Sequence, residues 1–154
     1  MRKQGIISDI RAASRAITRK LGMITSRFPA IGSVSQCHAI VELDMHGSMN
    51  INQLSELLNL DKSTTSRLVL QLVTDDICCT KADTKDMRNK VVSLTTKGAM
   101  LANIIHDEME LQVQQTLDTL SEEEQKVVLQ GLSIYARALK NSFSAQRRSA
   151  ILKL

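Results

Sequence analysis

The chain has 154 residues, a formal net charge of +4 at pH 7, a single proline, six glycines, three cysteines and no tryptophan. That length suits one domain with a sizeable core, and the scarcity of aromatic residues and chain breakers argues against a β-sandwich and for helices packed through aliphatic and methionine side chains. No stretch is apolar for long enough to span a bilayer, and an odd cysteine count without a CxxC pair argues against a disulfide scaffold, so the expected setting is the cytoplasm.

The charge is unevenly spread. Residues 1–30 carry seven basic side chains (Arg2, Lys3, Arg11, Arg15, Arg19, Lys20 and Arg27) against Asp9 alone, residues 31–60 are net acidic, and residues 61–98 carry seven basic against five acidic groups. Such an excess permits a nucleic-acid partner without requiring one. The basic start resembles a secretion signal, but Asp9 and Arg11 interrupt any apolar core for it.

Ile6, Ile10, Ala13, Ile17, Leu21, Ile24 and Phe28 recur at steps of three and four, the stripe of a long amphipathic helix that Pro29 and Gly32 end. Ser33-Val34-Ser35-Gln36 has the form of a capping box opening a second helix, in which Ser33 accepts from the Gln36 amide and Gln36 reaches back. That helix carries Ala39, Ile40, Val41 and Leu43 and stops at Met45-His46-Gly47. Asn50-Ile51-Asn52-Gln53 then caps a short helix ending at Leu57 or Leu58, with Ile51, Leu54 and one of those two leucines inward.

After the tight connection Asn59-Leu60-Asp61, Asp61 caps a helix to about Val73. Its buried face is Thr65, Leu68, Val69 and Leu72 at i, i+3, i+4 and i+7. The opposite side presents Ser63, Thr64, Arg67 and Gln71. Small hydroxyls permit close approach to a DNA groove, while Arg and Gln reach base edges, so this helix is the candidate reading element. A solvated polar face on a protein-interaction module is the competing reading.

Asp75-Asp76 turns the chain into Ile77-Cys78-Cys79-Thr80, which pairs with Val91-Val92-Ser93-Leu94 across a long polar tip to form a two-stranded hairpin. Thr95 caps a helix bearing Leu101, Ile105, Met109, Val113, Leu117 and Leu120. Ser121-Glu122-Glu123-Glu124 opens the last helix, with Val128, Leu132, Tyr135 and Leu139 in line. The basic tail 141–154 is either a helical extension or a frayed end.

Together these features resemble MarR-type winged-helix regulators. The resemblance rests on the Lys62-Ser63-Thr64-Thr65-Ser66-Arg67-Leu68-Val69 string and on Asp83-x-x-Asp86-x-Arg88 followed by Val92-Ser93-Leu94-Thr95-Thr96-Lys97-Gly98. It covers roughly residues 5–140 and implies a mostly α fold: a winged helix-turn-helix with long N- and C-terminal dimerisation helices and a two-stranded wing. The chain then divides as a single domain over 1–154, with dimerisation helices at 6–32 and 96–140, the DNA-binding unit at 33–95 and the tail at 141–154.

The resemblance further implies a homodimer that binds an inverted repeat in double-stranded DNA, as a repressor relieved by a small-molecule effector or by oxidation. Lys62, Ser63, Thr64, Ser66, Arg67 and Gln71 would face DNA from the recognition helix. On the wing, Arg88 would enter the minor groove with Asp86 orienting it, while Lys85 and Lys90 supply phosphate contacts together with Lys81. One departure is Met87, where the family commonly has a basic residue. The N-terminal string Ile10-Arg11-Ala12-Ala13-Ser14-Arg15 resembles a subset fused to a GNAT-type acetyltransferase. No Gly-rich loop for acetyl-CoA accompanies it, so the expectation is a stand-alone regulator, the alternative being the regulatory half of such a fusion.

Three further groups carry weaker signals. Cys37, in the first turn of a helix where the dipole lowers a thiol pKa, is a redox candidate, against the commoner role of a buried structural cysteine. The vicinal Cys78 and Cys79 point to opposite faces of a strand and would be strained as a mutual disulfide. His38 with Glu42 and His106 with Glu110 stand one helical turn apart and could hold a metal between helices, but such pairs are more often surface contacts. Met23, Met45, Met49, Met100 and Met109 read as core fillers. There is no HExxH, GxSxG or phosphate loop, no cofactor motif, and the expectation is a protein that is not an enzyme.

Overall fold

The computed structural model describes residues 3–25, 32–82 and 90–151. Nine elements follow in chain order: α1 (Lys3–Thr25), α2 (Val34–His46), β1 (Met49–Asn50), α3 (Ile51–Leu58), α4 (Lys62–Thr74), β2 (Cys78–Ala82), β3 (Lys90–Leu94), α5 (Thr96–Leu117) and α6 (Glu122–Ile151). The chain forms two compact units, Met1–Met109 and Glu110–Leu154.

In the first unit, α2, α3 and α4 pack around one aliphatic core. Ala39, Ile40 and Leu43 of α2 meet Leu54 of α3 and Leu68, Val69 and Leu72 of α4, and the core continues through Ile77, Cys78, Val92, Ala102 and Ile105. The α4 spacing is realised as expected: Thr65, Leu68, Val69 and Leu72 are its buried residues. Thr65 is fully enclosed, and its hydroxyl donates to the Asp61 carbonyl (3.0 Å), so the polar atom costs little there. In α3, Leu58 packs against the core while Leu57 faces out, which decides between the two.

The wing is part of a three-stranded antiparallel sheet of order β1-β3-β2, not an isolated two-stranded hairpin. Met49 and Asn50 pair with Val92 and Val91, and β2 pairs with β3 from Cys78↔Leu94 to Ala82↔Lys90. β1 ties the start of α3 to the base of the wing. The strands also reach further toward the tip than expected, taking in Lys81, Ala82 and Lys90.

Local capping accounts for most element boundaries. Asn50 and Gln53 complete a reciprocal capping box at α3 (Asn50 N–H to Gln53 Oε1 2.9 Å, Gln53 N–H to Asn50 Oδ1 3.0 Å). Ser121 and Glu124 do the same at α6, and the Ser121 amide and hydroxyl hold the Glu124 carboxyl below its ordinary value. Only half of the box expected at α2 forms: Ser33 Oγ accepts from the Gln36 amide (3.2 Å), but buried Gln36 Oε1 has no hydrogen-bond partner. Tertiary burial of that side chain has overridden its local role.

Several expectations meet different surroundings. Met49 is buried and Met109 packs against the core, whereas Met45 and Met100 are exposed and fill nothing in the protomer. The apolar stripe of α1 is solvent-facing at Ile6, Ile10, Ile17 and Leu21. In the second unit, α6 continues as a helix through Ile151, so the backbone of the tail is helical up to that residue. Its Val128, Leu132, Tyr135 and Leu139 are exposed, as is Leu129 at 69%. Gln125 Nε2 donates to the carbonyls of Leu117 (3.1 Å) and Leu120 (3.2 Å) and secures the turn between α5 and α6. No described helix is long and apolar enough to cross a membrane.

Candidate nucleic-acid interface

The helix-turn-helix is α3 and α4, joined by Asn59, Leu60 and Asp61. Asn59 takes the left-handed conformation (φ 54°) as the C-cap of α3, a role that Asn tolerates because its short polar side chain relieves the steric penalty. The Asn59 amide donates to the Glu56 carbonyl (3.2 Å) and the Leu60 amide to the Ser55 carbonyl (3.0 Å), which closes the turn in three residues. Asp61 then caps α4. Its carboxylate accepts from the Thr64 amide (2.8 Å) and the Thr64 hydroxyl (2.6 Å). Chiefly that hydroxyl, then the amide, hold the Asp61 pKa below its ordinary value, so the cap is ionised at neutral pH.

With one side of α4 committed to the core, Lys62, Ser63, Ser66, Arg67, Leu70 and Gln71 are exposed and Thr64 is half-buried. Ser63, Ser66, Arg67 and Leu70 fall at i, i+3, i+4 and i+7 and form one row. The Ser66 hydroxyl donates to the Lys62 carbonyl (2.8 Å), so its proton turns inward and its lone pairs face out. Thr64 is occupied with Asp61 in the same way. Arg67 and Lys62 are exposed and make no ion pair among the described residues. Gln71 is not free: its Nε2 donates to both carboxylate oxygens of Asp75 (3.0 and 3.1 Å).

The wing base is fixed by Thr95. Its hydroxyl donates to the Asp76 carbonyl (2.7 Å), lies 3.1 Å from that of Ile77, and accepts from the Gly98 amide (3.0 Å). One side chain thus joins the turn after α4 to the first turn of α5. Lys97 Nζ donates to the Asp75 carbonyl (2.6 Å), adding a second tie at the same place. Lys81 and Lys90 are exposed on paired strands. Lys85, Asp86, Met87 and Arg88 lie outside the described residues.

The weaker candidates fare differently. Cys37 is 6% exposed, and burial pushes its thiol up, opposite to the direction expected from the helix N-terminus. Cys78 is buried and pushed up to about 12, by burial and then by Cys79 alongside it. Cys79 is half-buried with Sγ 3.2 Å from Ser93 Oγ, and all three thiols are free. Neither Cys37 nor Cys78 has the accessible, low-pKa environment that a reactive thiol needs. His38 and Glu42 do line one surface cavity with Ser35, Leu57, Leu58 and Leu60. However, Glu42 pairs with His46 (3.2 Å) and His106 with Asp44 (3.3 Å), and no three potential metal donors converge among the described residues.

Sequence reasoning placed Asn59 in the connection without its left-handed capping role, and did not single out Leu70 or β1. Asn before a helix-opening Asp was the available signal for the turn; a two-residue strand leaves none.

A cap-to-cap helix-turn-helix, a wing hinged on Thr95 and a polar row on the second helix define a winged-helix protein. Residues 33–90 match the sequence model of the MarR family, so the winged-helix unit is similar to that of MarR-type transcriptional regulators. It is 28% identical over 110 residues to the HTH-type transcriptional regulator YfiV of Bacillus subtilis (strain 168), spanning 71% of this chain and 69% of that protein. Its fold is that of Streptococcus pneumoniae FabT in complex with DNA (TM-score 0.79, 22% identity, 88% of this chain and 98% of that one). It is also similar to the S. aureus MepR–DNA complex (TM-score 0.68, 24% identity, 84% and 94%).

Proposed function

We propose that the chain binds double-stranded DNA as a homodimer, at an inverted repeat, and represses transcription there until a small-molecule effector releases it. The observation that carries the DNA reading is the row Ser63, Ser66 and Arg67 on α4. It is exposed and polar, and it is held at a fixed angle by a core on the opposite side of the same helix. Lys62 at the start of α4 and Lys81 and Lys90 on the wing strands supply cations for phosphates, and Thr64 and Gln71 flank the reading row. Lys85, Asp86 and Arg88 extend the contact along the wing. DNA in the FabT and MepR structures supports the same partner here.

Dimerisation is supported by apolar side chains that face solvent on the terminal helices, at Ile6, Ile10 and Ile17 of α1 and at Val128, Leu129 and Leu132 of α6. A 30-residue helix with such a face needs a partner surface to offset its ordering. A two-fold dimer would set its α4 helices on half-sites about one helical turn, roughly 10–10.5 base pairs, apart. Of the two release signals that the family resemblance implies, the enclosed thiols of Cys37 and Cys78 favour a ligand over oxidation.

The test is selection of duplexes from a random library by the purified protein, followed by anisotropy titration at roughly 50 and 200 mM salt. The proposal expects recovery of a palindrome and an affinity that falls steeply with salt. Failure to enrich any sequence, with no salt dependence, contradicts it.

A further inference from the structure

Leu70 is the last member of the outward row of α4 and is 66% exposed. It follows Ser63, Ser66 and Arg67 at the next helical position of the same face, opposite the buried Leu68, Val69 and Leu72. A large aliphatic side chain here contributes nothing to the protomer's core, and the residues around it on that row are hydroxyls and a guanidinium. Its carbonyl accepts from the Thr74 hydroxyl (2.9 Å), so the backbone beneath it is regular helix.

We infer that Leu70 is a specificity-determining residue, which packs on the C5-methyl group of a thymine in each half-site. This rests on the DNA-binding reading above and deepens it. In a major groove the thymine methyl is the apolar feature that a base pair displays, and removing it and a leucine side chain from water together is favourable. The neighbouring Arg67 supplies the charge complementarity that brings the face to DNA. Arg67 lies one turn before Leu70, with side-chain origins about 5–6 Å apart. Base steps along one strand are about 3.4 Å, so the pair spans one or two steps. The commonest partner of an arginine fork is guanine O6 and N7. The half-site therefore carries a guanine and, one or two steps away, the thymine that Leu70 contacts. Ser63 and Ser66 accept from base amino groups on the other side of Arg67.

The experiment uses a duplex enriched by the full chain from a random library, and a set of derivatives in which each thymine is replaced singly by deoxyuridine, which lacks only the methyl group. The proposal expects one thymine per half-site whose replacement weakens binding by about fourfold, the value of one buried methyl-sized apolar group. It also expects L70A to bind the thymine and deoxyuridine duplexes equally. Ala and Leu are both strong helix formers and the side chain is exposed, so circular dichroism should register no change. The proposal is overturned if L70A keeps the parent's discrimination, or if no thymine in the duplex is sensitive. It is equally overturned if L70A alters the oligomeric state while discrimination persists, since Leu70 then serves a protein contact. Enrichment of no duplex at all removes the DNA-binding reading itself, an outcome distinct from binding without methyl discrimination.

Discussion

Gly98 in the first turn of α5 lies directly against the backbone carbonyl of Ile77, so close that a β-carbon at position 98 would collide with that oxygen. The same carbonyl accepts from the Thr95 amide (3.0 Å). The contact sets how the wing base meets α5, and both sides of it are main chain. Neither can swing aside as a side chain would.

G98A should therefore destabilise the protein by about 1–3 kcal/mol, the usual range for overpacking a tight site, although alanine is the better helix former. Urea denaturation followed by circular dichroism measures it. An unchanged midpoint would show that the backbone yields without strain.

The cap at Asp61 makes a prediction about acid. Its folded-state pKa is depressed by the Thr64 hydroxyl and amide, so its contribution is fully present above the ordinary value of 3.8 and is lost as pH falls through the folded value. D61A should be less stable than the parent at about pH 7, and the gap should narrow as pH is lowered toward about 3. Parallel denaturation curves at the two pH values decide it. A gap that stays constant would mean that the carboxylate's ionisation is irrelevant to the cap.

The cysteines should be slow to react in the native protein. Burial raises the Cys37 and Cys78 thiols, which leaves little thiolate at neutral pH. A chromogenic disulfide reagent at about pH 7.5 should label half-buried Cys79 first, and Cys37 and Cys78 only on unfolding in denaturant. Rapid modification of Cys37 in folded protein would restore the redox reading.

What was legible in advance was local. Asn50, Asp61 and Ser121 marked helix starts because a capping side chain acts within three residues of itself, and the α4 face was readable because 3.6-residue periodicity needs no tertiary information. What was not legible depends on distant partners. β1 exists only because Met49 and Asn50 meet Val92 and Val91, some forty positions on. The need for glycine at position 98 arises from Ile77, twenty-one positions back. The two readings of Cys37 could not be separated in advance for the same reason, since the helix dipole is visible in sequence and the desolvation that outweighs it is not. At the candidate interface, the polar positions of α4 followed from periodicity, whereas exposed Leu70 read as an ordinary apolar residue until the core was seen to leave it out.

The most direct measurement of the central claim is the affinity of the parent and R67A for one enriched duplex, titrated side by side at a single salt concentration. Arg67 is exposed and contributes nothing to the core, so the variant should fold normally. The account predicts a loss of about 1–3 kcal/mol, roughly five- to 150-fold, with relaxed preference at one base pair of each half-site. Equal affinity and unchanged sequence preference would contradict it, because the outward row of α4 would then not be the surface that reads DNA.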